Sequence, residues 1–91
     1  MIKIIDDWYI TIDPYPTNYV VRRGKGEKGK NGKWLDRSRG YFNTLQNAVK
    51  EVRRQYVAEH LSNGERTLGE ALGAVSDIDT RFEKIMERVT A

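Results

Sequence analysis

The spacing of apolar residues changes period near residue 43, and this change limits the folds open to the chain. Before it, apolar residues alternate. Trp8, Ile10 and Ile12 share one face of a run rich in β-branched and aromatic residues, Trp8-Tyr9-Ile10-Thr11-Ile12. Alternation of this kind places every second side chain on the same side of an extended strand. After it, Leu45, Ala48, Val49, Val52 and Tyr56 recur at i, i+3, i+4, i+7 and i+11, and Ile78, Phe82, Ile85, Met86 and Val89 at i, i+4, i+7, i+8 and i+11. Both sets trace one side of a helix. Strands grouped ahead of helices predict an α+β fold in which a sheet is covered on one face.

Turn chemistry divides the first part into elements. Asp13-Pro14-Tyr15-Pro16-Thr17-Asn18 is a turn, because its two prolines exclude helix and bias the residues before them toward extended geometry. Tyr19-Val20-Val21-Arg22 resumes a strand, and residues 24–32 carry four glycines and form a loop. Asn31-Gly32 predicts a two-residue hairpin turn with positive φ at both positions. A third strand is then expected over residues 34–42, with Gly40 as a bulge. Ile2–Ile5 either extends the first strand or forms a short one of its own. In the helical part, Asn43 or Thr44 opens a helix that runs to about Leu61, and Ser62-Asn63-Gly64 ends it. Thr67 with Glu70 predicts a short helix, and Ser76 with Asp79 repeats the capping pattern before the last one. The expectation is one domain over residues 1–91. It has an antiparallel three-stranded sheet in residues 1–42, which includes a basic hairpin at 22–39. Two or three helices in residues 43–91 pack on one face of that sheet.

Charge is as unevenly distributed as period. Residues 22–39 read RRGKGEKGKNGKWLDRSR, with eight basic and two acidic side chains and a net charge of +6, against +3 for the whole chain. The rest of the chain therefore sums to −3. Such a patch attracts phosphates or an acidic partner surface. The candidate contact residues are Arg22, Arg23, Lys25, Lys28, Lys30, Lys33, Trp34, Arg37 and Arg39. The lysines at the tip act as point charges and suit non-specific electrostatics, whereas arginines closer to the strands suit ordered contacts. A hairpin can carry such residues into a groove of nucleic acid. The plain alternative is a solvated tip whose lysines protect a sheet edge from aggregation.

Two phosphate-binding patterns occur in this loop by spacing alone. Gly24-Lys25-Gly26-Glu27-Lys28-Gly29 fits G-x-G-x-x-G, and Gly24 to Lys30 fits the start of a P-loop. Both need a helix next in the chain, since its N-terminal amides and dipole hold the phosphates. The next residues, Asn31-Gly32-Lys33-Trp34, read instead as a turn and a strand, and Asn31 stands where magnesium requires a hydroxyl. A nucleotide site is not expected, and neither is any cofactor or metal.

Catalytic groups are sparse. His60 is the only histidine and reads as a solvated helical residue. Asp6-Asp7 and Asp13 lack calcium-loop spacing and read as strand-end and turn residues. Asp77 and Asp79 suit the first turn of a helix. No enzymatic activity is expected. With no cysteine, disulfides and thiolate metal sites are excluded, and a reducing cytoplasmic setting fits. The N-terminal residues lack the apolar core of a secretion signal, and no run approaches the ~20 apolar residues that span a bilayer. Tyr15, Tyr19, Trp34 and Tyr41 surround the basic segment. They are expected mainly in the core, with Trp34 partly exposed; on an exposed surface they would stack on bases. Lys50, Arg53 and Arg54 either extend the basic surface or form an ordinary wet helix face. Residues 56–91 carry seven acidic and four basic side chains and would make a poor surface for nucleic acid.

The order of elements, the Trp8-Tyr9-Ile10 strand and the segment Tyr41-Phe42-Asn43-Thr44-Leu45-Gln46-Asn47-Ala48 resemble small phage and prophage accessory proteins. Residues 19–54 are also similar to the arm-binding domain of phage integrases, in which three strands precede a Phe-x-Thr-x-x-x-Ala helix start and the sheet grips DNA. The first resemblance implies a non-enzymatic protein that inhibits a host nucleic-acid-processing or defence complex, as anti-CRISPR proteins do. The second implies a module that binds DNA or RNA through the same hairpin. A structural protein that oligomerises through its last helix is a third expectation.

Overall fold

The computed structural model describes residues 1–90, with the backbone alone at residue 90. Four strands, β1 (Ile2–Ile5), β2 (Trp8–Pro14), β3 (Thr17–Arg23) and β4 (Ser38–Phe42), precede two helices, α1 (Leu45–Ser62) and α2 (Leu68–Thr90). The strands form an antiparallel meander in the order β1-β2-β3-β4. The α+β class is as expected, but the sheet has four strands in place of three. Ile2–Ile5 is a strand of its own because Asp6 adopts a left-handed φ of 49° and reverses the chain before Trp8. Aspartate tolerates that region because its short side chain hydrogen-bonds locally. Here the Asp6 carboxylate accepts from the Tyr56 hydroxyl at 3.0 Å.

Two further boundaries differ from expectation. The third expected strand begins at Ser38 and not at Trp34, which makes only an isolated bridge to Lys28. Asn31-Gly32 does not make a hairpin turn with two positive φ angles: Gly32 has φ 77°, while Asn31 lies outside the positive region. The tip is closed by hydrogen bonds from Gly29 N to the Lys33 carbonyl (2.8 Å) and from Gly32 N to the Gly29 carbonyl (3.0 Å). Gly40 does mark a bulge. Val20 pairs with Tyr41 but Arg22 pairs with Ser38, so β4 carries one residue more than β3 over that interval. Gly40 sits there at φ 152°, and a Cβ on it would lie 2.7 Å from the Phe42 ring. Only glycine fits such a position.

The helical part holds two helices. The Thr44 side chain caps α1 by accepting from Asn47 N at 3.1 Å, and Thr67 caps α2 by accepting from Glu70 N at 3.2 Å. Gly73 does not end α2 and Ser76 does not begin a new helix; the run is continuous from Leu68, so Asp77 and Asp79 are mid-helix residues. A glycine inside a helix costs about 1 kcal/mol against alanine, but packing of the downstream apolar face outweighs it. The expected C-terminal residue of the helical part, Ala91, lies outside the described residues.

The main core lies between sheet and helices. Trp8, Ile10 and Val21 from the strands meet Ala48, Val49, Val52 and Tyr56 of α1 and Ile78 and Phe82 of α2, with Ile2, Ile4, Ile5, Tyr19 and Phe42 packed around them. Each fully buried aliphatic or aromatic side chain contributes about 1.5–3 kcal/mol. Arg53 pairs with Asp79 and ties α1 to α2, while Arg54 pairs with Glu51 within α1. No helix among the described residues is long and apolar enough to cross a membrane.

The second face of the sheet is also covered, which alternation alone did not predict. Tyr9, Thr11 and Val20 point away from the helical core yet are at most 2% exposed. The glycine-rich loop folds back over them. Its Trp34 ring lies 5.7 Å from the Tyr9 ring.

Candidate nucleic-acid interface

Asp36, one of two acids in the basic segment, holds the loop on the sheet. Its Oδ2 accepts from the Tyr9 hydroxyl at 2.5 Å and from Gly26 N at 2.8 Å. Its backbone carbonyl accepts from Arg22 at 2.6 Å, and Arg22 Nε also donates to the Thr11 hydroxyl at 3.0 Å. Gly24 N donates to the Asp7 carbonyl at 2.9 Å, and Leu35 N to the Glu27 carbonyl at 3.0 Å. The hydrogen bond from Tyr9, then that from Gly26, lowers the pKa of Asp36. Burial, reinforced by that same carboxylate, pushes the Tyr9 phenol up to about 12. The basic ribbon therefore does not project freely; it is pinned to the β2–β3 surface.

This folding sorts the nine candidate residues into two groups. Arg22 and Arg23 are half-buried and occupied. Arg22 binds Thr11 and the Asp36 carbonyl, and Arg23 pairs with Asp7 at 3.1 Å and with Glu59 of α1. These pairs, the Glu59 hydrogen bond foremost, raise the pKa of Arg23. The two differ: the charge of Arg23 is neutralised by its acids, whereas Arg22 is held by two neutral oxygens and keeps its charge at the rim of a groove beside Tyr41. Trp34 is half-buried between the Tyr9 ring and the Lys28 ammonium, which lies 4.9 Å from its centre. Lys25, Lys28, Lys30, Lys33, Arg37 and Arg39 are exposed, and none of them forms an ion pair among the described residues. Six free cations are thus displayed on one loop and the strand after it.

The aromatic set also divides. Tyr19 packs against the core, but Tyr15 (94% exposed) and Tyr41 (60%) do not. Tyr41 faces a groove of about 540 Å³ lined by Asp13, Arg22, Gly32, Lys33 and Trp34. An amphipathic ring beside exposed cations can stack on a base. A second groove, of about 400 Å³, lies along β4 and is lined by Arg23, Arg37, Ser38, Arg39 and Gln55. Gln55 reaches it from α1 and donates from Nε2 to the Arg39 carbonyl at 3.1 Å. Sequence reasoning put Tyr41 with the core aromatics and missed Gln55 altogether. No pattern in one chain says that α1 lies along β4, and the exposure of Tyr41 comes from its place on the edge strand.

The other basic candidates do not extend this surface as a set. Lys50 is exposed, but Arg53 and Arg54 are paired with Asp79 and Glu51. His60 is not a fully solvated residue: its Nδ1 lies 3.0 Å from the Tyr56 carbonyl and its ring 4.2 Å from the Tyr56 ring. The loop glycines lead into a turn and the Lys28–Trp34 bridge, without the helix that a nucleotide-binding loop requires. Among the described residues, no group of three or more histidine, aspartate or glutamate side chains could hold a metal ion. No family model matches the chain, and no curated protein and no solved structure matches it either.

Proposed function

We propose that this chain is a non-enzymatic binding protein that holds the phosphate backbone of a nucleic acid on the surface of loop 24–37 and β4. The observation that carries this reading is the display of six exposed, unpaired cations on one pinned loop and edge strand. A cation already paired with its own carboxylate gains little from a phosphate, whereas a free one releases the phosphate's counterions. The lysines favour backbone over base edges, so sequence preference is expected to be weak.

Fluorescence anisotropy of labelled oligonucleotides against log salt tests this. A slope of about −0.9 is expected per phosphate contact on duplex DNA. Converting Lys25, Lys28, Lys30 and Lys33 together to glutamine should reduce the slope by up to about 3.6. Absence of binding at low salt, or a slope unmoved by the four substitutions, refutes the reading.

A second reading is favoured by a different feature. Leu68 (75% exposed) and Leu72 (61%) stand one helical turn apart on the first half of α2, an apolar strip that phosphate binding does not need. In this reading the chain is a phage-type accessory protein that docks on a host nucleic-acid-processing or defence complex and inhibits it. Pull-down from a host lysate should then recover a defined protein that Leu72→Glu releases. Recovery of bulk nucleic acid alone, unaffected by Leu72→Glu, counts against it.

A further inference from the structure

We propose that Arg37 and Arg39 form an ordered seat for a single phosphodiester group of the nucleic-acid backbone, in the groove between β4 and α1. The inference rests on the nucleic-acid reading above and separates one fixed contact from the diffuse pull of the loop lysines.

Arg39 carries most of the case. Its guanidinium carbon lies 5.2 Å from the centre of the Trp8 ring, and that ring is 1% exposed and fixed in the core. The Arg23 guanidinium also lies over the Trp8 ring, at 5.3 Å. The two cations are not equivalent. Arg23 is neutralised by Asp7 and Glu59, while Arg39 has no acidic partner among the described residues. An arginine ordered by an aromatic face keeps its N–H fork available, and that fork matches two phosphate oxygens at once.

The backbone beneath the seat is fixed from three sides. The bulge at Gly40 leaves no room for a Cβ, since Phe42 fills that space. Gln55 of α1 grips the Arg39 carbonyl at 3.1 Å. On the other side of Arg37, Asp36 is held by Tyr9 and Gly26. Arg37 and Arg39 are both exposed and both line the groove of about 400 Å³. The lysines at residues 25–33 end in a freely rotating point charge instead of a planar fork, and of these Lys28 alone is placed against a ring. Pre-ordered donors lose less side-chain freedom on binding than free ones. The seat holds two unneutralised guanidinium groups, enough for one singly charged phosphodiester with bidentate contact.

Two measurements test this, and each uses the whole chain. In the first, ¹⁵N-labelled wild-type protein is titrated with inorganic phosphate, with chloride at matched ionic strength as the control. The Nε–Hε signals of Arg37 and Arg39 should shift saturably with phosphate alone. In the second, Arg39→Lys and Lys28→Arg are compared on labelled oligonucleotides; both keep the charge. Arg39→Lys should weaken binding about tenfold without changing the salt slope, while Lys28→Arg should leave affinity within about twofold. Phosphate shifts no larger than those from chloride overturn the seat. Equal effects of the two substitutions also overturn it, and leave the broader interface standing. No oligonucleotide binding by the wild type overturns both.

Discussion

Replacing Tyr9 by phenylalanine tests the latch that gives the basic loop its position. The Tyr9 side chain is buried, and its hydroxyl donates to Asp36 Oδ2 at 2.5 Å. At neutral pH the substitution removes a hydrogen bond to a charged acceptor, about 1.5–3 kcal/mol. Asp36 keeps its bond to Gly26 N and is reached by water, so a loss toward the lower end is expected. For a domain of this size that lowers Tm by about 5–10 °C. The alkaline limb is more specific. Burial first and Asp36 second raise the Tyr9 pKa from 10.0 to about 12. The fold therefore holds this proton more tightly than the unfolded chain does. Its contribution is complete below pH ~10 and falls as pH rises toward ~12, because the unfolded chain ionises first. Two units correspond to at most about 2.7 kcal/mol. Urea midpoints measured from neutrality to about pH 12 should fall more steeply for the wild type than for Tyr9→Phe. Tyr56, whose pKa is also raised, chiefly by burial and then by Asp6, is common to both and cancels. Parallel wild-type and variant curves through that window, or a folded Tyr9 that titrates near 10, would refute the latch.

Two other perturbations address the loop and the helical layer. Gly24 has φ 143°, and a Cβ there would fall inside the Asp36 carboxylate. Gly24→Ala should free the loop, so that Gly26 and Leu35 amides exchange faster while β2 amides stay protected; unchanged exchange at Gly26 would contradict the contact. Phe82 is 3% exposed and joins α2 to the core beside Tyr56, with ring centres 6.0 Å apart. Phe82→Ala should cost about 3–5 kcal/mol in urea unfolding, and a loss under about 1 kcal/mol would mean that α2 is not docked there.

Asp36 shows what kind of information sequence reading lacked. In the segment RRGKGEKGKNGKWLDRSR it is one acid among eight bases, and local counting treats it as a small subtraction from net charge. In the fold it is the residue that turns a flexible ribbon into a covering layer, because Tyr9, twenty-seven positions earlier, points its hydroxyl at it. Arg23 is similar. Nothing near it in sequence reveals that Glu59 of α1 comes within pairing distance. By contrast, the glycine of the β4 bulge, crowded by Phe42, and the Thr44 cap depend on neighbours within a few residues, and each was legible.

The chain's local chemistry determined the α+β class, the break between strands and helices, the caps that open both helices and the concentration of positive charge at residues 22–39. All four arise from side-chain period, backbone restriction and composition, which act over short separations. Which of those charges stay free was decided only when the sheet brought distant acids and a buried phenol against the loop. Coulombic pairing and hydrogen bonding act across space and ignore order along the chain. Arg22 and Arg23 were thereby drawn inward, and Arg37, Arg39 and four lysines were left facing water.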